Sequence, residues 1–150
     1  MKQAFLNLQE KLSEIPELKY IDEDWGQLDA YSPNPPTKFP LALLDFGAIN
    51  FDNIGIDRSK TPYQRQKAQG VLVVTVANLK LTNTSGKAPH AQKEAAFKIW
   101  DIIEGVHQKL HGFAFFENSG RLLRLSCNRI RRDDGIQEYE LRYQFDLTNV

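Results

Sequence analysis

Cysteine is nearly absent from this 150-residue chain, and that removes one class of fold. The single thiol, Cys127, has no partner for an internal disulfide, so nothing here asks for staples or for an oxidising compartment. Long apolar runs are lacking too. The most apolar stretch, Val71 to Leu81, is broken by Thr75, Asn78 and Lys80 and falls short of the ~20 residues a membrane span needs. Met1-Lys2 leads into an amphipathic pattern and not into the apolar core of a signal peptide, so a soluble, cytosolic product is expected. Nor is there an excess of charge. Nineteen basic and 19 acidic side chains cancel, which argues against a general nucleic-acid binder held by phosphate neutralisation.

What is present is enough for one domain spanning residues 1–150. With 41% hydrophobic residues, a chain of this length buries roughly 68–70% of the surface its unfolded form exposes. The charges that cancel overall are unevenly placed. Between Met1 and Asp29 seven acids (Glu10, Glu14, Glu17, Asp22, Glu23, Asp24, Asp29) face three lysines. From Arg121 to Gly135 five arginines face only Asp133 and Asp134. Such runs are commonly solvated faces. The sharper expectation is that Glu14, Glu17, Asp22, Glu23 and Asp24 of one subunit meet Arg129, Arg131 and Arg132 of another.

Phe5, Leu8, Leu12 and Ile15 recur at helical spacing, and Pro16 predicts a stop near Ser13 to Ile15. The proline-rich Tyr31 to Thr37 reads as an ordered surface linker. Phe39 to Ile49 is strand-like, with Phe39, Leu41 and Leu43 on one face, and Pro40 suits a strand start. Val71 to Leu81, apolar on both parities, predicts a central strand. The polar Asp52 to Gln69 between them reads as a long loop, mobile in the free subunit and ordered on assembly, made basic by Arg58, Lys60, Arg65 and Lys67. Ala96, Ile99, Ile103, Val106 and Leu110 predict a second helix over Ala95 to Leu110, stopped by Gly112.

Tyr139, Leu141, Tyr143, Phe145 and Leu147 alternate with polar residues, and Leu123, Leu125 and Cys127 do so before them. A two-residue Asp134-Gly135 turn would set apolar residues opposite polar ones. A three-residue turn with Gly135 left-handed pairs Cys127 with Leu141, Leu125 with Tyr143 and Leu123 with Phe145, and is the register expected. Cys127 then lies inward as an inert hydrophobe, while the tip with Arg129, Arg131, Arg132 and Gln137 projects past the core. Tyr139 is placed for a cation–π contact with Arg129. Trp25 has no evident core position.

The candidate chemistries fail one by one. Glu104, His107 and His111 share a helix face, but Gln108 occupies the place where a zinc protease carries its base, and no second Glu-x-x-His exists. Gly86-Lys87 lacks the earlier glycine of a phosphate loop, and Ala88 replaces its magnesium-binding hydroxyl. Cys127 has no recognisable neighbouring base. Asn83-Thr84-Ser85 is a glycosylation sequence only in form. Two alternatives stay open. One is a restriction-enzyme-like nuclease using Asp45, although Asn78-Leu79-Lys80 offers an amide where a metal-binding acid is needed. The other is single-stranded nucleic-acid binding by the arginine-rich hairpin.

The expected order is helix, proline-bearing linker, strand, long polar loop, strand, helix and hairpin. The expected fold is α+β, a mainly antiparallel sheet of about four strands with two helices packed against it. Over essentially the whole chain this resembles the phage tail terminator and tail-completion proteins, including the minor tail protein U-like group and related neck proteins. The resemblance is carried by Phe39-Pro40 at the first strand, the segment from Asp52 to Gln69, and the Ala95 to Leu110 helix before a C-terminal hairpin. It implies a structural phage or prophage protein, with no catalytic residues and no cofactor or metal. Such a protein forms a ring, commonly a hexamer, at the tail end or head–tail neck. Its partners are further copies of itself, the tail tube and neck proteins, with no membrane or small-molecule substrate. It would be built in the bacterial cytoplasm and reside in the virion. The charge asymmetry fits a ring independently, because head-to-tail contacts need two complementary patches on one subunit.

Overall fold

Helix α1, Lys2–Ser13, buries Ala4, Leu8 and Leu12 on one stripe and ends before Pro16, where the ring leaves no donor to continue it. A short strand, β1 (Tyr20–Glu23), and a 3₁₀ turn (Gln27–Asp29) follow. Strands β2 (Leu41–Ile56) and β3 (Gln64–Leu79) lead to α2 (His90–Leu110), then to β4 (Leu123–Ile130) and β5 (Ile136–Thr148). This computed structural model describes residues 1–30, 36–80 and 82–150. Most of the expected Tyr31 to Thr37 linker, and the Leu81 end of the expected central strand, lie outside the described residues.

The five strands form one sheet in the order β1-β2-β3-β5-β4. It is mixed rather than antiparallel throughout, because β1 pairs parallel with β2, Tyr20 opposite Leu41 through Glu23 opposite Leu44. With four residues, β1 was too short to show an alternation. Both helices cover one face. Leu72, Val74 and Val76 of β3 and Leu141, Tyr143 and Phe145 of β5 meet Leu8, Leu12, Ile99, Ile102 and Val106 there. Helix α2 begins five residues before the expected Ala95, directly after Pro89, whose fixed φ suits a helix start. On the opposite face a smaller cluster of Leu41, Leu43 and Ala77 lies under Tyr20, Leu28, Phe39 and Ile136.

The segment from Asp52 to Gln69 is not a long loop. Its ladder runs from Leu41 opposite Ala77 out to Ile56 opposite Gln64, leaving only residues 57–63 as a turn. Polar alternation without a buried face hid it, since the outer half is an arm standing clear of the core. Residues 50–56 of β2 are all exposed. Arg58 and Lys60 sit in the turn, whereas Arg65 and Lys67 belong to β3. Arg65 Nε donates to Asn149 Oδ1 (2.7 Å), and Lys67 lies opposite Thr148 in the ladder with β5. Trypsin is therefore expected to cut first after Arg58 and Lys60. Early peptides ending at Arg65 or Lys67 would show that the arm's ladder opens in the free chain.

The C-terminal hairpin keeps the expected register near its tip, with Cys127 opposite Leu141, Ile130 opposite Glu138, and Gly135 left-handed at φ 78°. Below, a bulge shifts it, so Arg124 stands opposite Tyr143 and Leu123 opposite Gln144. The tip does not project past the core: Gln137 is buried, and its Nε2 donates to the Ala96 carbonyl (3.0 Å). Nor is β4 an inward-facing strand. Leu123 and Leu125 are about half exposed and Cys127 is exposed, because β4 is the sheet's edge, which only the border of α2 reaches, and the bulge turns Leu123 to the opposite face.

Candidate assembly surfaces

The acidic N-terminal region and the arginine-rich hairpin do meet, but inside one subunit. Arg132 is held by Asp29 (2.7 Å), Asp134 (2.7 Å) and Glu138 (2.9 Å), and its side chain is only 11% exposed. It is thus a structural clamp and not a projecting contact residue, which corrects its expected place beside Arg129 and Arg131. Those two remain exposed. Asp134 is pulled below the usual carboxylate range by its hydrogen bonds from Arg132. Burial pushes Glu138 up, and Arg132 only partly opposes this.

The expected acidic partners are dispersed in the same way. Glu14 binds Lys109 (2.6 Å) and Lys11 (3.1 Å), and these bonds, Lys109 first, lower its pKa. Asp22 accepts from the Tyr20 hydroxyl (2.7 Å), and Asp24 accepts from the Gly26 amide (3.0 Å). Glu17 and Glu23 are exposed. Trp25 is 59% exposed and leans its indole N–H toward Asp22 (3.4 Å). No single acidic patch emerges from Glu14, Glu17, Asp22, Glu23 and Asp24.

The sites considered for chemistry are not assembled. His107 and His111 stack at 4.8 Å, yet His111 Nδ1 accepts the Arg124 amide (3.2 Å) and Glu104 pairs with Gln108 (3.3 Å). Burial, with help from the Arg124 charge, lowers the pKa of His107. Among the described residues no three His, Cys, Asp or Glu side chains gather as metal ligands. Asp45 lies on the face away from the helices, while Asn78, opposite Gln137, lies on the helix face, so the two do not converge. Cys127 is exposed as a residue, but its sulfur sits in a hollow beside Trp100 and Ile103, and burial raises its pKa. Tyr139 gives its ring to Trp100 (4.7 Å) and not to Arg129. Among the described residues no helix is long and apolar enough to cross a membrane.

What the surface does carry is apolar area in two separate places. The arm exposes Phe51 (52%), Ile54, Ile56 (64%) and Tyr63. By strand alternation Phe51 and Ile56, opposite Ala68 and Gln64, share the helix face, and Asp52, Arg65 and Lys67 take the other. The second place is the flank where the border of α2 meets β4, with Phe97, Trp100 and Leu125 exposed. Sequence reasoning missed both, because the aromatics other than Trp25 were expected mostly on core faces, whereas Phe97 and Trp100 are exposed, and the arm was read as a loop. Exposed aromatics at helix positions outside the Ala96-Ile99-Ile103 stripe were the available signal.

A mixed five-stranded sheet with two helices on one face and a protruding hairpin defines an α+β architecture. No family model and no curated protein matches the chain. The fold is similar to that of a chain in the virion of a native gene transfer agent (GTA) particle. The two are 14% identical with a TM-score of 0.52, over 97% of this chain and 94% of that one.

Proposed function

We propose that the protein is a structural component of a phage or phage-like virion, assembling with further copies of itself and with other virion proteins, and that it catalyses no reaction. The observation that carries this reading is the whole-chain likeness to a virion component, with neither chain holding a large region the other lacks. The surfaces support it. Two separated apolar patches on a small subunit suit protein contacts on more than one side. The finer reading is a ring at the tail end or head–tail neck, touching tail tube and neck proteins, as the tail-terminator resemblance implies. A ring asks for unlike patches on one subunit, and the arm and the α2–β4 flank are unlike.

The test is made on particles from a host encoding the chain. Mass spectrometry of purified particles is expected to find it at a few copies per particle, and deleting its gene is expected to give heads without joined tails, or tails of uncontrolled length. Particles that lack the chain, or a deletion that leaves joined particles and titre unchanged, would exclude the reading. Metal-dependent DNA cleavage lost in Asp45→Ala would move the protein to the nuclease class.

A further inference from the structure

The two outer strands of the sheet are free along most of their length, and they are not alike. Among the described residues β2 is paired on its outer side only from Leu41 to Leu44, so its edge is open from Asp45 to Ile56. Among the described residues no strand pairs with the outer side of β4, Leu123 to Ile130, where only the Arg124 amide has a partner, His111 Nδ1. Open strands are templates for pairing with another chain, and proteins normally cover or shorten them. Both are long here, and both bear exposed apolar side chains.

Their charges are opposite. From Asp45 to Asp57 there are three acids (Asp45, Asp52, Asp57) and no lysine or arginine. From Arg121 to Arg131 there are four arginines (Arg121, Arg124, Arg129, Arg131) and no acid. Asp52 has one loose internal partner, Lys67 at 3.9 Å, and Asp57 accepts from Ser59. Asp45 and Asp52 lie on the face away from the helices and Arg124 and Arg129 on the helix face, so they form no direct ion pairs. Edges of unlike sign still steer a head-to-tail approach and disfavour a two-fold pairing of β4 with β4.

The apolar side chains agree with the charges. Trp100 overhangs β4 on the helix face, sharing a hollow with Leu125 and Cys127. A strand added outside β4, with its own helix face turned the same way, brings its apolar residues toward Trp100 and Phe97. On β2 the exposed apolar residues of that face are Phe51 and Ile56. Within the sheet β2 and β4 run antiparallel, so a neighbour in the same orientation also presents its β2 antiparallel to β4.

We propose that the open β2 edge of one copy pairs antiparallel with the β4 edge of the next, Phe51 and Ile56 covering Trp100 on the helix face, so that one sheet continues from subunit to subunit. This deepens the reading of a self-assembling virion protein and rests on it. Because β1 blocks the first part of β2, each copy is stepped along the strands relative to the last, as strands are staggered in a closed barrel.

Cys127 makes the test direct. In the subunit, β2 and β4 are separated by β3 and β5, roughly 14 Å at the usual strand spacing, which a disulfide cannot bridge. Phe51→Cys and Asn53→Cys each place a second thiol on the helix face of β2. Mild oxidation of the full-length protein is expected to give a ladder of covalent oligomers from at least one of them, lost when Cys127→Ser is added. In parallel, light scattering across a concentration series follows association. Trp100→Asp, or Phe51→Asp with Ile56→Asp, is expected to weaken it by about tenfold or more. Circular dichroism checks that each variant is folded. Oligomers that form without ladders and ignore these substitutions overturn the edge pairing while leaving the virion reading intact. A Cys127–Cys127 dimer of the unaltered chain overturns it in favour of a two-fold contact. A chain monomeric at every concentration overturns it as a self-contact, and the particle experiment then decides the virion reading alone.

Discussion

Phe145→Ala is expected to cost about 3–5 kcal/mol of unfolding free energy, among the largest losses of any single substitution in the chain. Phe145 is 1% exposed and packs edge-on against Phe46 (5.5 Å between centroids) and Phe115 (5.3 Å), with Phe5 completing the cluster against Phe46 (4.9 Å). Its ring end fills the space where Gly70 has no side chain. A Cβ on Gly70 would stand 2.6 Å from Phe145 Cζ and 3.1 Å from Ile49 Cγ1. Gly70→Ala is therefore expected to destabilise by roughly 1–3 kcal/mol through overpacking. The two sites share one volume, so they should not add: in a Phe145→Ala background, Gly70→Ala should cost little or become favourable. Denaturant unfolding of the four proteins of this cycle measures the coupling. Strict additivity would show that ring and glycine do not compete for space. The notch also sits where the arm leaves the core, with Gly70 opposite both Ile49 and Phe145.

Arg132→Ala is expected to cost about 2–4 kcal/mol at neutral pH, mostly by leaving Glu138 charged, 14% exposed and without its cation. The exposed Asp29 adds little. The pH dependence separates these contributions. Asp134 has a lowered folded pKa, so its stabilisation is present above the unfolded carboxylate value and is lost as pH falls through the folded one. Glu138 has a raised folded pKa, so its ionisation weakens the fold as pH rises, and more so without Arg132. Both act in one direction on the difference, so the gap between wild type and Arg132→Ala should narrow as pH falls from about 7 to about 4. Adding Glu138→Gln to Arg132→Ala should recover part of the loss at neutral pH. A gap that does not change with pH would assign the cost to packing of the guanidinium and not to charge.

The parts of the fold legible in the sequence were those whose pattern records burial. The stripe of α2 and the alternation of β5 each present one side to the core, and Ala96, Ile99, Val106, Leu141 and Tyr143 are all buried. The end of α1 was legible for a covalent reason, the proline after it. What escaped was structure stabilised by backbone pairing without burial. The outer half of the β2–β3 hairpin carries Asp52, Asn53, Gln64 and Gln66 because both its faces are wet, and polar composition then reads as a loop. Strand β1 was too short for any period. In β4, the alternation of Leu123, Leu125 and Cys127 was real but did not mean burial, since burial depends on whether α2 reaches that far. The pairing of Asp29 with Arg132, 103 positions apart, had its signal in the opposite charge of the two regions. That signal gives attraction without saying whether one molecule or two will satisfy it.

Strand β1 covers four of the sixteen residues of β2, and that brevity gives the subunit a polarity. Copies joined through unlike edges always leave one edge of each kind unspent at the two ends, so nothing in the contact itself stops growth. Angle must decide. Neighbouring strands turn by about 20–25°, so a five-stranded sheet rotates by roughly 80–100° from one border to the other, a turn that the proposed edge pairing would hand from each copy to the next. Whether a chain of copies closes on itself or runs on as a fibre then depends on that rotation and on the step imposed by β1. Lengthening β1 would remove the open border altogether, leaving a molecule with the same core and nothing to pass on.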